Sequence, residues 1–195
     1  MSTLLFLLVV IAVLVLLLRM LLRVLGRKPI VPSLKLLFII LSSYGFLWIL
    51  AFAAQKDTIV PNATDVCFDD WCATVLKAER AAKLGPLMAS GNFYILHVRM
   101  SNHARGIAQQ PSEPRIHILD KQGHIWSFSP EGQKALEKES GKLPDIAMRL
   151  RLGEAVETQL VFDIPAGTQG LVALIEEGPS ITRFLLPENR PLFEL

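Results

Sequence analysis

Residues Leu4 to Leu18 contain no polar side chain, and Leu36 to Ala54 form a second, nineteen-residue apolar run interrupted only by Ser42, Ser43 and Tyr44. Runs of this length fit the hydrocarbon core of a bilayer better than the interior of a small globular domain. Fifteen helical residues span about 22 Å, short of the ~30 Å needed. The first helix is therefore expected to continue to Leu25, with Arg19 and Arg23 reaching back to the headgroups. The expected spans are residues 4–25 and 36–54. Gly45, Ser42 and Ser43 either mark the face packed on the first helix or are simply tolerated.

Arg19, Arg23, Arg27, Lys28 and Lys35 cluster between the runs with no acidic residue, and Pro29 and Pro32 break the helix into a tight turn. Short basic loops stay cytoplasmic. The expectation is a two-pass membrane protein with its N-terminus and everything after Ala54 outside the cytoplasm. A released domain is the alternative. Ala51-Phe52-Ala53 has the A-x-A form of a signal-peptide cleavage site, with Lys28 and Lys35 ahead of the apolar run.

The remaining chain reads as an ordinary folded domain. The apolar share of the whole chain is 51%, but most long apolar runs lie before residue 55. The expected organisation is a membrane hairpin over 1–54, a polar linker over 55–64 and one domain over 65–195, long enough to bury a core. A net charge of +2, much of it beside the membrane, gives no sign of a nucleic-acid partner. The expected partners are the lipid bilayer and a protein or envelope-surface component of unspecified identity. Asn62-Ala63-Thr64 matches the N-glycosylation pattern, a three-residue match that chance often produces.

Short alternating runs punctuated by Gly and Pro predict strands over Asn92–Ser101, Arg115–Leu119, His124–Phe128, Ala155–Ile164, Leu171–Glu176 and Thr182–Leu186. Asp120-Lys121-Gln122-Gly123 predicts a hairpin turn. Glu131–Ser140, rich in Gln, Lys, Ala, Leu and Glu, predicts a short helical insert. The predicted class is two transmembrane α-helices followed by an all-β sandwich.

Both cysteines lie in Cys67-Phe68-Asp69-Asp70-Trp71-Cys72. Asp69-Asp70 favours a turn that would bring the sulfurs together as a structural staple. A redox pair and a metal site are the competing readings, but there is no C-x-x-C, and His97, His103, His117 and His124 form no ligand spacing with the cysteines. Adjacent Asp69 and Asp70 point apart, so they make no acid–base pair. Ser101-Asn102-His103 offers part of a triad without an identified acid. No nucleophile elbow, phosphate loop or dinucleotide fingerprint occurs. No catalytic residue, metal ligand or cofactor is assigned.

Three motifs carry a family resemblance. They are Gly91-Asn92-Phe93-Tyr94-Ile95 leading to Val98-Arg99-Met100-Ser101-Asn102; Leu119-Asp120-Lys121-Gln122-Gly123 followed by Trp126; and Leu152-Gly153-Glu154 followed by Val161-Phe162-Asp163-Ile164-Pro165. Over residues 65–187 the chain resembles the bacterial immunoprotective-extracellular-protein-like domains, a group largely of unknown function. The resemblance implies an exported immunoglobulin-like β-sandwich tethered to the envelope, and no catalytic residues. Many such domains use a lipobox cysteine as tether; here two apolar helices stand in its place. The expected function is a non-enzymatic binding module of the envelope. The alternatives are a membrane subunit or sensor acting through its helices, and a thiol–disulfide protein using Cys67 and Cys72.

Overall fold

A computed structural model of the chain describes residues 3–54, 56–68, 70–111, 113–177 and 190–195, and they fall into two units. The first unit is helical, with α1 over Thr3–Leu25 and α2 over Val31–Ala53. A Schellman turn ends α1: the Lys28 N–H donates to the Arg23 carbonyl (2.8 Å) and the Arg27 N–H to the Val24 carbonyl (3.0 Å). Arg27 takes the left-handed position at φ 52°, where glycine is the usual occupant, although Gly26 stands next to it. The Arg23 guanidinium donates to the Pro29 carbonyl at 2.9 Å.

The second helix starts five residues earlier than the apolar run suggests. Pro32 lies in its first turn, where a missing N–H costs nothing, so this proline opens the helix instead of breaking it. Both helices are long and apolar enough to cross a membrane. Their large side chains are open to the surroundings, Leu14 at 60% and Phe38 at 71%. Gly45 has no atom near the place of a Cβ, and Ser42 and Ser43 are exposed. These three residues mark no packed face.

The second unit is a β-sandwich with one helix. Its strands are β1 (Asp57–Val60), β2 (Val66–Phe68), β3 (Trp71–Leu84), β4 (Leu87–Asn102), β5 (Pro114–Leu119), β6 (Ile125–Trp126), β7 (Ala155–Ile164), β8 (Val172–Glu177) and β9 (Arg190–Glu194), with α3 (Pro130–Ser140) between β6 and β7. One sheet has the order β2-β3-β4-β7, the other β1-β9-β8-β5-β6. Side chains alternate between the two faces of a strand. Trp71, Ala73 and Val75 of β3, Tyr94, Leu96, Val98 and Met100 of β4, and Phe162 of β7 thus meet Ile116, Ile118, Ala173, Ile175 and Phe193 of the other sheet in one core.

The opposite residues of the four-stranded sheet form a second, smaller core. Phe93, Ile95 and Val161 pack with Leu84 and with Leu136 of α3. Ser129 caps that helix, its Oγ accepting from the Gly132 N–H at 3.1 Å. Gly132 faces the sheet so closely that a Cβ would lie 2.7 Å from Val161. Gln133 then closes the free edge of β7: its amide Nε2 donates to the Gln159 carbonyl (2.9 Å) and its Oε1 accepts from the Val161 N–H (3.1 Å).

The strands β4, β5, β7 and β8 and the helix α3 fall where alternation and composition put them. Three differences stand out. The expected linker contains β1, which pairs in parallel with β9 and is clamped to it by a two-pronged Arg190–Asp57 ion pair at 2.9 and 3.0 Å. Long β3 includes Lys77-Ala78-Glu79-Arg80-Ala81-Ala82-Lys83, good helix formers that pairing with β4 holds extended. The expected strand over Thr182–Leu186 lies outside the described residues, and β6 is shorter than His124–Phe128. In the β5–β6 turn, Asp120 accepts from the N–H groups of Gln122 and His124 at 2.8 and 2.9 Å.

Candidate functional site

On the outer face of the four-stranded sheet, beyond the part α3 covers, the outward-pointing residues turn polar. Register sets Cys72 beside Ser101 and Thr74 beside Arg99, with Glu157 across from Arg99 on β7. Asp65, in the loop before β2, ties these strands together. Its carboxylate accepts from the Thr74 hydroxyl and from the Arg99 guanidinium (3.0 Å), and His103 Nε2 lies 3.8 Å away. The Thr74 hydrogen bond, aided by Arg99 and opposed by burial, holds the Asp65 carboxyl below its ordinary pKa. Farther along the same face, the Lys77 ammonium and then His97 (3.3 Å) hold Glu79 below its ordinary value as well.

Asp65, Arg99, Ser101, His103 and Gly153 line an open pocket of about 520 Å³. The Ser101 hydroxyl stands 3.0 Å from His103 Nε2, and Asp65 supplies a nearby acid. A triad needs the acid on one ring nitrogen and the hydroxyl on the other. Here both face Nε2, so the acid cannot orient the ring for proton transfer from the serine. Asn102 is occupied structurally: its amide nitrogen donates to the carbonyls of Ile107 (3.0 Å) and Leu150 (3.1 Å), and its oxygen accepts from the Ala104 N–H (2.8 Å). The arrangement can hold a polar or charged group; it has no activated nucleophile.

Cys67 and Cys72 are directly paired across the β2–β3 hairpin, and their sulfurs sit at disulfide distance. Cys67 is exposed and Cys72 fully buried. Asp70 is exposed in the turn between them, while Asp69 lies outside the described residues. The histidines are dispersed: His97 and His103 are on the face just described, His117 is on β5 and His124 follows the β5–β6 turn. Among the described residues no group of three or more His, Cys, Asp or Glu could hold a metal ion. Arg19, Arg23, Arg27, Lys28 and Lys35 belong to the helical unit, in and around the turn between its helices.

Sequence reasoning missed Asp65, Thr74 and Arg99 as a cluster. Period-two alternation puts Thr74 and Arg99 on the side of their strands away from the main core, but Thr74 is fully buried there, their pairing depends on a long-range register, and Asp65 comes from a loop. It also missed a second pocket, of about 440 Å³, where β5 of one sheet faces β7 of the other beneath α3 and residues 142–146.

No protein-family model and no curated protein matches the chain. Among solved structures it is similar to the secreted protein MPT63 from Mycobacterium tuberculosis, at 9% identity and a TM-score of 0.47, over 72% of this chain and 98% of that one. An uncharacterised β-sandwich protein from Clostridium difficile 630 is similar at 12% identity and 0.47, over 72% and 95%. The yjhA protein from Bacillus subtilis is similar at 16% identity and 0.46, over 69% and 98%.

Proposed function

We propose that this chain is a two-pass membrane protein that displays an immunoglobulin-like β-sandwich of the immunoprotective-extracellular-protein-like group outside the cytoplasm, as a non-enzymatic binding module. The observation that carries the reading is the pair α1 and α2, whose apolar side chains lie open to their surroundings along 20- and 23-residue apolar spans. Water would penalise that surface at about 25 cal/mol per Å², whereas hydrocarbon does not. The basic turn Arg23–Lys28, with Arg19 and Lys35 beside it, favours a cytoplasmic connector and hence an outside domain. A Cys67–Cys72 bond fits that compartment. Asn102, the last residue of the first motif that carries the resemblance, organises the end of β4.

The binding face in this reading is the polar end of the four-stranded sheet, around Asp65, Arg99 and His103. Alkaline phosphatase fused after Leu195 is expected to be active in cells, and the mature protein to keep the mass of a chain starting at Met1. An inactive phosphatase fusion, together with a fluorescent-protein fusion at the same position that fluoresces, would overturn the topology. A mass beginning near Ala54 would replace the tethered module with a released one. A photo-crosslinker at position 103 in intact cells is expected to give one discrete adduct that Arg99→Glu removes. An adduct pattern unchanged by Arg99→Glu removes this face from the proposal.

A further inference from the structure

The helical unit gathers charge of one sign at the turn between its helices. From Met1 to Lys56 there is no Asp or Glu, while Arg19, Arg23, Arg27, Lys28 and Lys35 lie in and around that turn. At about 1.5 Å per residue, Arg19 stands ~9 Å before the end of α1 and Lys35 ~6 Å after the start of α2. The basic side chains thus share one shallow band. Arg19, Arg27, Lys28 and Lys35 are exposed, and Arg23 is half-buried.

This band has charge to neutralise and no acidic neighbour in the sequence to do it. Arg19 and Arg23, four residues apart, share a face of α1, where like charges repel. The Pro29 carbonyl accepts one N–H of Arg23 at 2.9 Å, but a carbonyl brings no negative charge. A span beginning at Thr3 carries Arg19 about 24 Å inward, still within the ~30 Å of hydrocarbon, where a guanidinium calls for an anion at the border. Arg27 holds the left-handed φ of 52°. Strain of this kind clusters at ligand clamps, and here it falls on a guanidinium.

Beside the cations α2 carries a groove of about 570 Å³. Leu34, Leu37, Phe38, Ile39 and Leu41 line it, with Lys35 at the end toward the turn. Residues 34–41 run about 10 Å along the helix. Basic groups at the mouth of an apolar groove match an anion joined to a hydrocarbon chain. Guanidinium groups bind phosphate through paired N–H bonds, and a zwitterionic headgroup brings a cation of its own that the band repels.

We infer that this turn is a binding site for an anionic phospholipid, its headgroup phosphate held by Arg19, Arg23, Arg27 and Lys35 and one acyl chain lying in the groove along Leu34–Leu41. The inference rests on the reading of α1 and α2 as membrane spans and is independent of the Asp65 cluster.

The full chain is reconstituted into vesicles of equal parts phosphatidylglycerol and phosphatidylcholine with matched chains, floated on a density gradient, then extracted in mild detergent and purified. The lipid that it retains is expected to be enriched in phosphatidylglycerol at least about fivefold over the vesicle, the factor that ~1 kcal/mol from one engaged basic residue supplies. Arg27→Gly, which suits the left-handed position and so spares the turn, is expected to lower the enrichment about fivefold. Phe38→Ala, at an exposed groove position, is expected to cut the amount of lipid retained about threefold and to leave the ratio of the two lipids unchanged. Inorganic phosphate at the concentration of the phospholipid is expected to displace none, because it has no chain for the groove. Retention in the vesicle's own proportion, an enrichment that Arg27→Gly leaves intact, an amount untouched by Phe38→Ala, or displacement by inorganic phosphate overturns the site while leaving the spans standing. A chain that does not float with the vesicles overturns the spans and the site together.

Discussion

The two ends of the outer face of the four-stranded sheet are made by the same strands and have opposite fates. At one end β4 and β7 offer Phe93, Ile95 and Val161, and α3 lies down on them. At the other, the same alternation offers His97, Arg99, Ser101 and Glu157, and no helix covers them, although Ser101 is itself buried. Strand geometry decides only which side a residue points to. Whether that side becomes interior depends on a change in side-chain chemistry within about two turns of the pleat. The covered end contributes stability through burial; the other end is held by hydrogen bonds and charge.

The contrast breaks most sharply at Phe93, which is 1% exposed. Phe93→Ala is expected to cost about 3–5 kcal/mol through lost burial and a cavity beneath α3, read by thermal or denaturant unfolding. Arg99→Ala, six residues along the same strand, should cost less than about 1 kcal/mol. Equal losses at the two positions would erase the distinction. Asn102→Ala comes next, at about 3 kcal/mol, because two carbonyls and one N–H lose their partner at the buried corner of the open end. Exchanging both cysteines for serine should cost about 2 kcal/mol, the small gain expected from so short a loop. Two free thiols in unreduced protein from the native compartment would remove the staple and leave the hairpin to its backbone pairing.

The smallest expected effect is a pH dependence at Asp65. Its folded pKa lies below the ordinary 3.8, so the carboxylate's contribution is present above that value and fades as pH falls through the lower, folded one. Asp65→Asn should flatten stability against pH in the acid range below about 4 and leave the neighbourhood of pH 7 almost unchanged in slope. A slope that changes near pH 7 instead would overturn this account of Asp65.

Much of this was legible in the residues, and the part that was not has a common cause. The apolar runs, the β7 alternation from Ala155 to Ile164, the turn at Asp120 and the helix over Pro130–Ser140 are local signals, and they produced local structure. The second half of β3 reads Lys-Ala-Glu-Arg-Ala-Ala-Lys, a helical composition, and is a strand because β4 pairs with it. β1 was hidden because Asp57-Thr58-Ile59-Val60 is four residues long and its partner lies more than a hundred residues away. The Asp65 cluster and the pocket beneath α3 were hidden for the same reason. Each joins side chains from a loop, a strand and a distant strand, and only the register between them makes a site.

The parallel pairing of β1 with β9 bears on how the molecule carries force. In sequence, β1 begins four residues after α2 ends. If the helices tether the sandwich, as proposed, a pull enters β1 at its first residue, and when it runs along the strand the bonds to β9 are loaded together in shear and do not open one after another. The Asp57–Arg190 clamp stands at the first pair of this ladder, where the load arrives. Resistance to such a pull is set by the rate of unfolding and not by equilibrium stability. A tethered sandwich of the kind proposed above would therefore yield last at the strand nearest its tether.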